Sequence, residues 1–158
     1  MRVIRIILFL FVIFIFQTVI LSRTAVLGAY PDLMTVSVIV FGLLYGESDG
    51  LWTGLFCGAL TDLFSSTGAL FVVLLPVAGM AAGSLRERVF KEQAFVIFFC
   101  VLLGSIAAYW GAAWARDAFY GVETGYFWRS CLLNSLLNAC ISPLILISAI
   151  RTGGYEQY

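Results

Sequence analysis

The chain contains three long stretches, each about 20 residues in length, that are almost entirely apolar. They cover residues 3–21, 94–115 and 130–150, and an α-helix needs about 20 apolar residues to cross the hydrocarbon core of a bilayer. Only 11% of the 158 residues are charged and 62% are hydrophobic, whereas about a quarter of the residues of a soluble domain are charged. The sequence therefore predicts an all-α polytopic membrane protein.

The residue types that the chain lacks exclude several functions. It contains no His, so catalysis by Ser/His or Cys/His pairs is excluded. Nine basic and nine acidic residues cancel, which leaves no strongly basic face for nucleic acid. The four cysteines show no C-x-x-C spacing, so we expect small buried side chains rather than a metal or redox site: Cys57, Cys100, Cys131 and Cys140. We expect no cofactor and no enzymatic activity.

The hydrophobic pattern divides a single domain, residues 1–158, into six segments. They cover residues 3–21, 33–45, 51–64, 69–85, 94–115 and 130–150. Asp32 is the predicted N-cap of a helix that begins at Leu33. At a rise of about 1.5 Å per residue, segments two and three cover only about 20 Å, less than the hydrocarbon core. They are therefore either short, partly buried spans or a re-entrant hairpin entered from the outer side.

The basic residues predict the orientation of these segments. Basic loops stay in the cytoplasm, and six crossings put both termini there, with the first segment an uncleaved helix. Six basic residues then lie inside: Arg2, Arg5, Arg86, Arg88, Lys91 and Arg151. Three lie outside: Arg23, Arg116 and Arg129.

The third segment carries a stripe of small residues. Gly50, Gly54, Gly58 and Asp62 follow one another at intervals of four, so they share one face of a helix. Such faces allow close contact between helices in lipid. The stripe predicts either packing within the chain or docking of a partner protein's helix.

Polar residues in the apolar segments indicate contacts inside the bundle. The sixth segment has one polar stripe, Ser130, Asn134, Asn138 and Ser142, which should face inward either to join helices or to line a polar cavity. We take Asn134 and Asn138 as candidate partners of Asp62. Asp62 is either a structural latch or ligand site, or a hydrated residue at the outer interface.

Several of these motifs carry a resemblance to a known family. Pro31-Asp32-Leu33 precedes the short pair of segments, residues 54–64 form a glycine-striped helix that ends in an acidic residue, and Gly68 follows. Residues 83–90 then form a basic exit from the fourth helix. In these features the first 90 residues or so resemble the rod-shape-determining MreD family.

The resemblance implies a fold and a function. It implies a bacterial cytoplasmic-membrane scaffold of the cell-elongation machinery that binds MreC and works with MreB, RodA and its transpeptidase in peptidoglycan synthesis. The bundle would also be able to pair with a second copy of itself. The family's fold is similar to the substrate-binding subunits of energy-coupling-factor vitamin transporters.

We expect the docking surface to be shaped by five residues: Pro31, Asp32, Gly54, Gly58 and Asp62. The alternative function is a small-molecule-binding subunit like those of the vitamin transporters. Its pocket would use Asp62, Asn134, Asn138 and the aromatic side chains of the outer loop.

Overall fold

A computed structural model describes residues 2–19, 31–64, 69–86, 94–121 and 127–153 of the chain. These residues form six α-helices and no strand, so the prediction of an all-α fold is confirmed. The helices are α1 (Arg2–Val19), α2 (Leu33–Tyr45), α3 (Glu47–Phe64), α4 (Phe71–Ser84), α5 (Ala94–Tyr120) and α6 (Phe127–Gly153). The predicted end of the first segment at residue 21, the loop 65–68, the basic residues Arg23, Arg88 and Lys91, and the outer loop over 122–126 fall outside the described residues.

Two helices are long and apolar enough, by length and composition, to cross a membrane. The qualifying segments are Val96–Phe119 in α5 and Arg129–Arg151 in α6. The other apolar segments found in the described part of the chain, Ile4–Val19, Leu33–Tyr45 and Phe71–Ser84, are shorter. Long helices therefore alternate with short ones in the same bundle.

Helix α2 occupies the centre of the bundle. Its residues from Leu33 to Leu44 are all buried, and it packs against each of the other five helices. The helix is uniformly apolar except for small hydroxyl side chains, and the hydroxyl of Ser37 donates to the carbonyl of Leu33 at 2.7 Å. A helix that is hydrophobic all round is suited to such a position.

Several helices extend beyond the predicted apolar segments, α6 by three residues at each end of the predicted 130–150. Segment three was expected to begin at residue 51, but α3 begins at Glu47. Gly46, at φ 104°, is the single residue between α2 and α3, and it allows the chain to reverse direction there. Acidic residues in the first turn of α3 are favourable at the positive end of its dipole. Helix α5 continues to Tyr120, where Gly121 at φ 62° follows it.

The surface of the bundle is rich in large apolar side chains. They occur on every helix except α2, with Ile4 72% exposed, Val73 63%, Leu103 64% and Leu144 66%. The buried residues in the described part of the chain are mostly apolar as well, and eight are polar: Asp32, Thr35, Ser37, Thr53, Ser105, Ser135, Asn138 and Ser142. A surface with so many large apolar side chains is unusual for a monomeric protein in water.

The glycine stripe of α3 is covered by α4. A β-carbon at Gly54 would lie 2.5 Å from the carbonyl oxygen of Leu75 and 2.6 Å from Cα of Pro76. Gly58 faces the backbone of Phe71 in the same way, and Gly50 faces Gly79. The structure therefore shows packing within the chain, and the alternative of a partner helix docking on this stripe is wrong because α4 occupies it.

We predict that Gly54→Leu destabilises the bundle by about 3 kcal/mol or more, because the added side chain would meet rigid backbone rather than a movable side chain. The measurement is the thermal unfolding midpoint of purified protein in detergent. Ala81→Leu, at an exposed position of α4, is the matched control and should leave the midpoint nearly unchanged. Equal midpoints for the two variants would contradict the α3–α4 contact.

Candidate functional site

The first turn of α2 is organised by the carboxylate of Asp32. Its Oδ1 accepts from the backbone N–H groups of Met34 at 3.1 Å and Thr35 at 3.3 Å, and its Oδ2 accepts from the Thr35 hydroxyl at 2.6 Å. Asp32 has extended backbone angles and is the N-cap of α2, so that prediction is confirmed. Buried Pro31 precedes it.

Helix α1 contributes Gln17 to the same carboxylate. The amide nitrogen of Gln17 donates to Oδ1 of Asp32 at 3.1 Å, and its amide oxygen accepts from the backbone N–H of Met34 at 3.1 Å. One side chain thus binds both the cap and the first turn that it caps. Since the free N–H groups of a helix start need partners, Gln17 fixes α1 to the beginning of α2.

Helices α5 and α6 also contribute side chains to this site. The amide oxygen of Asn138 accepts from the backbone N–H of Asp32 at 2.6 Å. The Asn138 amide nitrogen donates to the hydroxyl oxygens of Ser105 at 3.2 Å and Tyr109 at 3.4 Å. The Tyr109 hydroxyl in turn donates to Oδ2 of Asp32 at 3.3 Å. We call this set the Asp32 cluster: Gln17, Asp32, Thr35, Ser105, Tyr109 and Asn138.

The Asp32 cluster compensates a buried carboxylate without a cation. Asp32 is 6% exposed, and its side chain accepts five hydrogen bonds next to the positive end of the α2 dipole. Within the residues that the structure describes, no ion pair to Asp32 is found. These five hydrogen bonds take the place of a basic partner.

The cluster lies at mid-depth of the two long helices. Tyr109 and Asn138 each fall within about 3 Å, measured along the helix axis, of the midpoints of Val96–Phe119 and Arg129–Arg151. Helix α2 therefore begins half-way along α5 and α6. A backbone N–H without a partner in this apolar interior would be costly, which is the physical reason for several polar side chains here.

Asp62, expected to be either a structural latch or ligand site or a hydrated residue at the outer interface, bonds to a neighbouring helix. Its Oδ2 accepts from the backbone N–H of Val72 at 2.7 Å, so the carboxylate at the end of α3 caps the first turn of α4. The expected pairing of Asp62 with Asn138 gives way to Asn138 bonding Asp32. Asn134 is half-buried one turn earlier on α6.

The other end of α2 is also held by side chains. Nη1 of Arg86 donates to the backbone carbonyl of Tyr45 at 3.1 Å, which places a cation at the negative end of the α2 dipole. The Tyr45 hydroxyl donates to the carbonyl of Ala149 in α6 at 3.0 Å. Both ends of the central helix are therefore anchored to surrounding helices.

Sequence reasoning missed four contributors to the cluster, Gln17, Thr35, Ser105 and Tyr109. A signal for three of them was present. Gln17 is a polar residue within the first apolar run, and Ser105 and Tyr109 are four residues apart, which puts them on one face of α5.

The chemistry available at the cluster is that of hydrogen bonding. Among the described residues, no group of three or more His, Cys, Asp or Glu side chains could hold a metal ion. No family model matches the chain, and no curated protein or solved structure matches it either. The arrangement itself joins four helices, α1, α2, α5 and α6, around one carboxylate.

We predict that Asp32→Ala lowers the free energy of unfolding by about 3 kcal/mol or more, since it removes an N-cap and leaves buried donors unpaired. Asp32→Asn, which keeps one acceptor oxygen, should fall between Asp32→Ala and the wild type. Denaturation in detergent measures both. Asp117→Ala removes an exposed carboxylate from α5 and should cost less than about 0.5 kcal/mol; a similar loss in the two alanine variants would refute the assignment.

The distances also predict a ranking within the cluster. Asn138→Leu removes the 2.6 Å bond to the backbone of Asp32 and should cost about 2 kcal/mol, whereas Tyr109→Phe removes longer bonds of 3.3 and 3.4 Å and should cost less than about 1 kcal/mol. The same denaturation experiment checks the order. A greater loss of unfolding free energy for Tyr109→Phe would show that Tyr109, rather than Asn138, makes the more stabilising contact to Asp32.

Proposed function

We propose that the chain is a non-enzymatic, multi-pass scaffold of the bacterial cytoplasmic membrane that binds MreC in the cell-elongation complex. In this proposal the six helices are inserted in the membrane with both termini in the cytoplasm. Helices α2 and α3 are the predicted pair of short segments. The scaffold helps to organise peptidoglycan synthesis and cell shape.

The surface supports insertion in a membrane. Exposed apolar side chains continue along the outer faces of α1, α4, α5 and α6, whereas soluble monomers rarely expose contiguous apolar patches above a few hundred Å². Arg86 and Arg151 lie at the end of the bundle where Tyr45 ends α2, in agreement with a cytoplasmic location for that end.

The observation that carries a structural role is the saturation of the Asp32 cluster. Its carboxylate and amide groups bond to one another and to the backbone of α2. Because these carboxylate and amide groups already bond to other helices, they stabilise the bundle and are not available to bind a substrate. A rigid bundle with an apolar exterior is suited to binding other membrane helices through close packing.

The partner comes from the family resemblance. The residues that carry it, Pro31, Asp32, Gly54 and Gly58, lie in the core and set the relative positions of α2, α3 and α4. They would shape an outer docking face indirectly, and MreC is the expected occupant. MreB, RodA and its transpeptidase are further proposed partners, as is a second copy of the chain.

A small-molecule-binding subunit is the second candidate. The convergence of Tyr109, Asn138 and Asp32 on one point favours it, since binding sites combine apolar walls with a few polar groups. A ligand there would have to replace existing hydrogen bonds. The scaffold agrees better with this arrangement.

We predict that MreC co-purifies with the tagged protein from membranes and that one outer face is responsible. Leu55→Trp on α3, Leu103→Trp on α5 and Leu136→Trp on α6 each enlarge an exposed side chain that lipid can accommodate. The variant on the docking face should recover about tenfold less MreC, which corresponds to about 1.4 kcal/mol. The two other variants serve as its folding controls.

Two results would count against this proposal. Recovery of MreC no greater than that with an unrelated membrane protein would contradict the scaffold function. Undiminished recovery with all three variants would exclude these faces as the docking surface.

A further inference from the structure

Two exposed arginines lie at the same end of neighbouring helices. Arg5, in the second turn of α1, is one turn from Phe9, whose ring lies 6.0 Å from the ring of Phe41 near the end of α2. Because Gln17 of α1 bonds to the start of α2, the two helices are antiparallel. Arg5 is therefore level with the last turn of α2.

Arg151 reaches the same level from α6. Ala149, two residues earlier, accepts a hydrogen bond from the hydroxyl of Tyr45, the last residue of α2. Helices α1 and α6 pack against each other. The two exposed arginines therefore lie at the same end of neighbouring helices α1 and α6, whose outer surface we call the α1–α6 face.

Apolar side chains continue from these arginines along the same face. Ile4 is 72% exposed and Leu8 64% on α1, while Ile147 is 52% exposed on α6. The exposed surface thus changes from charged to apolar along the helix axes. A phospholipid with an anionic headgroup presents a charged group followed by hydrocarbon chains, which matches this change along the surface.

The acidic residues at this end of the bundle lie elsewhere. Glu47 and Asp49 are in the first turn of α3, a helix that packs mainly against α2 and α4. Among the described residues, the α1–α6 face carries basic groups at this end and the acidic groups are on the α3 side. The charge of the face is complementary to an anionic lipid.

We propose that Arg5 and Arg151 bind the phosphate headgroup of an anionic phospholipid of the inner leaflet, whose acyl chains lie against the apolar side chains of α1 and α6. The site rests on the membrane insertion contained in the proposed function but requires no protein partner. It would select phosphatidylglycerol over phosphatidylcholine, because a basic residue near a membrane surface favours anionic lipid by about 1 kcal/mol.

Native mass spectrometry of the detergent-solubilised full chain tests this site by titration with phosphatidylglycerol. Arg5→Gln and Arg151→Gln should each weaken the apparent Kd about fivefold, and the double variant about 30-fold. Arg5→Lys with Arg151→Lys keeps both charges and should retain most of the binding. Arg116→Gln removes an exposed arginine near the opposite end of α5 and should leave the Kd unchanged.

Several results would overturn the site. These are an equal Kd for phosphatidylcholine, an unchanged Kd in the double glutamine variant, or loss of binding in Arg116→Gln alone. Competition by millimolar inorganic phosphate as strong as that by lipid would assign the site to free phosphate instead. None of these outcomes depends on MreC, so failure here is distinguishable from failure of the scaffold function.

Discussion

The rest of the fold depends on how a central helix can begin inside an apolar bundle. The first turn of any α-helix has N–H groups with no partner in the helix, and α2 starts where water is remote. Asp32 supplies acceptors to that turn, while Gln17 and Asn138 bond to its backbone from two sides. The bonds that satisfy α2 are therefore also the bonds that position α1 and α6 around it.

The remaining helices are placed by shape instead of polarity. Helix α3 meets α4 along glycines whose missing side chains let the two backbones touch, and neither a hydrophobic force nor charge is needed for such a contact in lipid. Asp62 then closes the pair by capping α4. Two carboxylates thus act at helix starts, but Asp32 joins four helices and Asp62 joins two.

Local features of this structure were predictable from the sequence, whereas its pairings were not. Pro31 and Asp32 predict the start of α2, because capping depends on adjacent residues. A spacing of four residues identifies the face of α3 that packs closely. Spacing identifies a face but not the helix that covers it. The hydrogen bonds of Asp32 to Gln17, Tyr109 and Asn138 span 15, 77 and 106 residues, so no local sequence pattern predicted them. The sequence favoured Asp62 instead, because it ends a stripe of glycines that is visible in the spacing.

Enclosure of α2 also limits how the protein can act on others. Its residues are buried from Leu33 to Leu44, so a partner can contact only the outer helices, whose exposed side chains are mostly large and apolar. In lipid these side chains provide no hydrophobic drive toward association. Under the proposed scaffold function, selectivity for a partner helix would come from the shape of the outer surface. That shape is fixed by the hydrogen bonds of Asp32 and the glycine contacts of α3, both inside the bundle.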